Sequence, residues 1–179
     1  MFHRLFHAVY TQPLQNVLIM IAVAVPLWAL ISSLLPKKAL KVVSLCILSF
    51  SLLFTLWITL FGRVPSDEYV PVFMPLSTFY RATENREMLR SALMNVFLFV
   101  PFGMTLPFIL PDRLKHRLPI TVAAAAALSL TIECCQLLFL LGTFETDDVL
   151  TNSFGALLGA LSLRLSLFFR KRRQKSLKG

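Results

Sequence analysis

Apolar residues in this chain do not alternate at strand spacing or recur on one helical face; they run unbroken. A bilayer core needs about 20 apolar residues of helix, and five segments meet or approach that length. They run roughly 16–35, 40–61, 94–110, 118–141 and 148–169. The third is the shortest and carries Pro101, Gly103 and Pro107. Neither proline has an amide donor, so the carbonyls of Phe97 and Gly103 lose their ordinary helical partners. A kinked span buried among its neighbours tolerates this; a re-entrant segment is the alternative. The expected fold is all-α: one membrane domain over residues 1–179, a bundle of about five transmembrane helices.

Polar residues punctuate these runs and give the bundle a direction. Lys37, Lys38 and Lys41 follow the first span, and Arg113, Lys115 and Arg117 follow the third beside Asp112. A basic tail over about 170–179 holds Arg170, Lys171, Arg172, Arg173, Lys175 and Lys178. In a five-helix serpentine all three groups fall on one side, which the positive-inside rule makes cytoplasmic. The expected topology is N-out, C-in. The opposite side receives the long, charge-balanced link from Gly62 to Ala92 and the acidic link with Glu145, Asp147 and Asp148. Within the long link, Thr83 is placed to cap a helix whose first turn carries Glu84 and Glu87. The third span would then continue a helix that starts outside. The first span has no cleavage site after it and is read as retained.

Composition agrees with a membrane chain. Of 179 residues, 56% are hydrophobic and the mean hydropathy is +0.72, against 45–50% apolar in soluble domains. The net charge of +9 sits at the ends of apolar runs, as it does in membrane proteins, rather than on a folded basic surface suited to nucleic acid. The tail reads as an anchor on anionic lipid. Cys46, Cys134 and Cys135 have no metal-site or CxxC spacing and read as small buried thiols. His3, His7 and His116 lie near segment ends without metal-ligand spacing. There is no phosphate-binding glycine loop and no Ser, His and Asp set. The cofactor, if there is one, is not identified by these residues.

The informative residues are the polar ones inside spans, which are costly in lipid and face the bundle interior. Asn95 opens the third span, Glu133 and Gln136 lie in the fourth, and Asp147, Asp148 and Asn152 open the fifth. Glu133 and Gln136 are i, i+3 and share a face, as do Asp148 and Asn152 at i, i+4. Gly155 and Gly159 continue that stripe as a small-xxx-small pattern for close helix packing. In the expected topology these residues lie toward the outer surface, with Glu133 around 12 Å below the outer end of its helix. A polar pocket open to the outer leaflet follows, with Arg63 at the outer end of the second span as a counter-charge. Each residue also has a plainer role. Glu133 can be a protonated hydrogen-bonding group that holds the bundle together. Asp148 and Asn152 can be a cap and an interhelical bond, and Arg63 can reach to headgroups.

At these positions the sequence resembles the VanZ-like family of small bacterial membrane proteins. The likeness lies in Asn95-Val-Phe-Leu-Phe-Val-Pro-Phe-Gly103, in Glu133-x-x-Gln136, and in the run Thr146-Asp147-Asp148-Val-Leu-Thr-Asn152-Ser-Phe-Gly155-Ala-Leu-Leu-Gly159. Thr59-Leu-Phe-Gly-Arg63 and Met74-Pro-Leu-Ser-Thr-Phe79 look like weaker upstream motifs, so the resemblance spans about 59–159 and leaves out the first span. Where many members have a basic residue before the aspartates, this chain has Thr143, Phe144 and Glu145. The resemblance implies a multi-pass protein of the bacterial cell membrane and a link to tolerance of the lipid-tailed glycopeptide teicoplanin. The expected ligand is a lipoglycopeptide or another envelope lipid, met by Arg63, Asn95, Glu133, Gln136, Asp147, Asp148 and Asn152. Two other readings stay open: an enzyme on an envelope lipid with Glu133 or Asp148 as general base, and a structural membrane partner. No metal is assigned, although a carboxylate-only site for a divalent cation is not excluded. Five spans without an internal repeat do not suggest a carrier; a homo-oligomer stays open.

Overall fold

The computed structural model describes residues 14–61, 76, 86–142 and 144–177. It is all-helical, with α1 over Leu14–Leu34, α2 over Lys37–Leu56, α3 over Arg86–Ile109, α4 over Arg117–Leu138 and α5 over Thr146–Ser176. α2 runs on into a π-helical turn, Trp57–Phe61. Five helices are long and apolar enough to cross a membrane, so the chain is a multi-pass membrane protein. The expected cap at Thr83 and the counter-charge Arg63 lie outside the described residues.

Pairwise contacts fix the helix directions. Ser32 meets Ser166 at 2.9 Å and the Trp28 indole N–H reaches the Met104 carbonyl at 2.8 Å, while Gly155 abuts Val96 and Gly159 abuts Val100. In each of these pairings residue numbers rise together, so α1, α3 and α5 run parallel. Asn152 meets Ser129 and Glu145 meets Glu133, so α4 runs the other way. The short link from Leu35 to Pro36 turns α2 back as well. The basic links and the basic end of α5 therefore share one end of the bundle. The start of α5 and the end of α4 share the other.

α3 is the central helix and packs against the other four. Its prolines do not break it. It forms one helix of 24 residues through Pro101 and Pro107, and neighbours supply bonds near the interruptions. Thr105 Oγ1 donates to the Pro101 carbonyl at 2.8 Å, the Trp28 indole to Met104, and Arg117 to the Pro107 carbonyl at 3.4 Å. Of these acceptors, the Pro107 carbonyl is one that a proline frees, since Pro111 four residues on has no amide; burial among neighbouring helices lets a span keep such residues. The helix also starts earlier than the apolar run at 94, because a polar first turn at Arg86 and Glu87 precedes it.

The bundle is built inside out relative to a soluble one. Phe50 and Leu53 are each 69% exposed on α2. Its interior is lined by Ser32, Ser44, Thr105, Thr121, Ser129, Gly155, Ala156 and Ser162. Such an apolar exterior would aggregate in water, and small interior residues let helix backbones approach closely. The cysteines correct the sequence reading. Cys46 and Cys134 are exposed on the outside of the bundle and Cys135 is only half-buried. An apolar run signals burial only when water is the solvent; here lipid solvates the outer face.

α5 is also longer than its apolar core. At 31 residues it spans about 46 Å, against a hydrocarbon core of about 30 Å. The basic residues from Arg170 to Lys175 are thus its last helical turns, where cations suit the negative helix end.

Candidate functional site

The polar residues singled out in the sequence gather where α4 ends and α5 begins. Glu133, Gln136, Asp147 and Asn152 are all buried, while Asn95 and Asp148 are half-buried. The phase of α5 sorts its two aspartates. Asp147 and Thr151 turn inward with Asn152, and Asp148 lies nearer the edge.

The end of α4 is shaped by its last turn. Leu140 sits in the left-handed region with φ 55°. The Leu141 N–H donates to the Gln136 carbonyl at 2.9 Å and the Leu140 N–H to Leu137 at 3.4 Å. This pair of bonds is a Schellman closure, which glycine ordinarily makes. The turn sends the chain back over α4, so that the Glu145 N–H donates to Glu133 Oε2 at 3.0 Å. Glu133 therefore fastens the residue that opens α5.

Two neighbouring side chains tie helices together. Gln136 Nε2 donates to the Thr59 carbonyl at 2.9 Å, in the π-helical turn at the end of α2. Such turns displace the regular backbone ladder and recur at functional sites. Asn152 Nδ2 donates to Ser129 Oγ at 2.8 Å. Asp147 Oδ1 accepts the Leu76 N–H at 2.5 Å, which brings one point of the long link onto the start of α5. Leu76 itself has φ 65°.

These bonds leave a residue of unmet polarity. Gln136 Oε1, Asn152 Oδ1 and Asn95 Nδ2 are buried and have no hydrogen-bond partner among the described residues. An unsatisfied buried group costs about 1–3 kcal/mol; these two acceptors and one donor lie on α4, α5 and α3, and Ser44 Oγ, Ser162 Oγ and Arg170 Nε stand likewise elsewhere in the bundle. Among the described residues, no three His, Cys, Asp or Glu side chains form a metal-ligand group.

Gly155 and Gly159 act at the α3–α5 seam. A Cβ on Gly155 would fall 2.1 Å from the Val96 carbonyl oxygen, and one on Gly159 2.2 Å from that of Val100. Gly103 of α3 is the reciprocal position, 2.1 Å from the Ala156 carbonyl oxygen. This contact sets Asn95 beside the first turns of α5.

Sequence reasoning missed Ser129, Gly103 and the Thr59 carbonyl as partners. Ser129 was within reach of it, since it lies four residues before Glu133 and seven before Gln136, on the same helical stripe. The Thr59 carbonyl has no side-chain signature.

No solved structure matches the chain. Protein VanZ of Enterococcus faecium is 31% identical over 123 residues, covering 66% of this chain and 72% of the relative. The VanZ/LLP1 family profile matches residues 49–169, which include every polar residue of the α4–α5 cluster. The chain belongs to the VanZ/LLP1 family.

Proposed function

We propose that this protein sits in the bacterial cell membrane, N-out and C-in, and binds a lipid-like or lipoglycopeptide ligand at the end of the bundle where α5 begins. The observation that carries this reading is the set of buried atoms Gln136 Oε1, Asn152 Oδ1 and Asn95 Nδ2, which have no partner among the described residues. Amide groups of this kind orient a ligand through its own amides and hydroxyls. Asp147 and Asp148 bring carboxyl groups to the same end, and Arg63 follows the Trp57–Phe61 turn in the sequence. The distant relation to Enterococcus VanZ supports a connection between this protein and glycopeptide tolerance. Teicoplanin has a lipid tail and acts outside the membrane, which suits a site in the outer leaflet.

Sidedness is supported by the concentration of Lys and Arg at the opposite end. Single cysteines at positions 145 and 115, in a background without native cysteines, test it directly. An impermeant reagent added outside should label 145 and spare 115; the reverse pattern overturns the assignment. Ligand binding is tested by Glu133→Gln and Asp148→Asn variants with expression confirmed. Loss of lipoglycopeptide tolerance is expected, and an unchanged phenotype in both would sink the proposal.

A second reading draws on the Glu133–Glu145, Gln136–Thr59 and Asn152–Ser129 bonds, which are structural ties in their own right. If they are the whole role of these residues, the protein is a structural partner and Glu133→Gln chiefly lowers its expression. Turnover of labelled envelope lipid by the purified protein would instead establish the enzymatic alternative, with Glu133 or Asp148 as base.

A further inference from the structure

At the end of the bundle away from the polar cluster lies a cavity of about 470 Å³ between α2, α5 and the α3–α4 link. Its lining joins two kinds of surface. Lys37, Lys41, Lys115, Arg117 and Arg170 bring five cations, with Asp112 as the carboxylate among them. Phe108, Leu118, Leu163 and Leu167 bring an apolar wall. Asp112 is already engaged, bonded to Lys37 Nζ at 2.9 Å and to Arg117 at 2.7 Å. Arg170 donates to the carbonyls of Ser32 and Leu35, which caps the end of α1. Lys41 and Lys115 are exposed and have no carboxylate partner among the described residues.

The helix ends facing this cavity add to the positive field. α2 begins with Lys37 and Lys38 after Pro36, and α4 begins with Arg117 after His116. Neither start has a side-chain cap or an acidic residue in its first turn. Cations at the positive end of a helix are unfavourable, and an anion there relieves both the repulsion and the unpaired N–H groups.

We propose that this cavity binds a phosphate-headed amphiphile, an anionic phospholipid, with its phosphate between Lys41 and Lys115 and its chain along Phe108, Leu118, Leu163 and Leu167. Phosphate is the shared chemistry of a lipid headgroup and a soluble ion; the apolar wall favours the lipid. The cavity lies across the bundle from the proposed ligand site and does not depend on it.

The test uses the full-length protein in neutral detergent, titrated with short-chain phosphatidylglycerol, phosphatidylcholine or glycerol phosphate. Binding is read by native mass spectrometry and by thermal shift. Phosphatidylglycerol should bind and stabilise, and phosphatidylcholine and glycerol phosphate should do so far less. A Lys41→Gln, Lys115→Gln double variant should lose about 25-fold in phosphatidylglycerol affinity. Lys171→Gln, Lys175→Gln, on exposed positions of α5 outside the cavity, should stay within about twofold because free surface charges are screened. Equal losses in the two double variants would mean diffuse attraction and overturn the site. Equal binding of phosphatidylcholine, which carries the same phosphodiester together with a choline cation, would overturn the assignment to an anionic headgroup, and equal binding of glycerol phosphate the lipid one. Those two comparisons need only the wild-type protein.

Discussion

The Glu133 carboxylate on α4 accepts the backbone N–H of Glu145, the residue that caps the start of α5, at 3.0 Å. One buried side chain thus sets where the acidic turn of α5 begins relative to the end of α4. A glutamine at 133 keeps an acceptor oxygen in this position, and an alanine does not. Glu133→Gln is expected to unfold within about 1 kcal/mol of wild type. Glu133→Ala should lose about 1–3 kcal/mol, because the Glu145 N–H is left without this acceptor. Denaturant unfolding in detergent micelles measures both. Near-native stability in the glutamine variant would make its tolerance phenotype readable, whereas a loss well beyond about 1 kcal/mol would favour the structural-partner reading.

The α3–α5 seam gives a second expectation. Alanine is ordinarily a better helix residue than glycine by about 1 kcal/mol. At Gly103, Gly155 and Gly159 the added Cβ would lie 2.1–2.2 Å from a carbonyl oxygen of the facing backbone, and backbone cannot rotate aside. Each Gly→Ala variant should therefore be destabilised by about 1–3 kcal/mol, the range for overpacked cores. Thermal unfolding of the purified variants reads this, and a gain in stability would refute the close approach.

The third concerns pH at the basic end. Hydrogen bonds from Lys37 and then Arg117, with the charge of both, lower the Asp112 carboxyl from 3.8 to about 2. Because the folded value lies below the unfolded one, the stabilising contribution is present above about pH 4 and is lost as pH falls through about 2. Lys37 and Asp112 are largely exposed, so the contribution is screened and stays under about 1 kcal/mol. Asp112→Asn should be slightly less stable than wild type at pH 7, and the difference should shrink toward pH 2 and in high salt.

How much of this was legible in the sequence follows from what each signal encodes. Continuous apolar runs mark spans because lipid demands them, so the five helices could be read directly. Helix ends could not, since the first turn of α3 at Arg86 and the last turns of α5 are polar and helical at once. Small-xxx-small spacing marked Gly155 and Gly159, but spacing names a face and never its partner, so Gly103 and the Val96 carbonyl stayed hidden. Asp147 and Asp148 were inseparable by composition; only the phase of α5 turns Asp147 inward to meet Leu76. The Glu133 and Gln136 pair was visible as a shared face, whereas its partners, the Glu145 N–H and the Thr59 carbonyl, are backbone groups that any residue would supply.

The parallel α3–α5 seam has a consequence in time. α3 leaves the ribosome a whole helix before α5, with α4 between them. During that interval the groove that will receive Gly155 and Gly159 faces lipid or a provisional neighbour, and Asn95 has no α5 beside it. This close backbone contact is therefore made by a late arrival. Membrane insertion of α3 must tolerate two prolines and an amide before the helix that fits them has been synthesised.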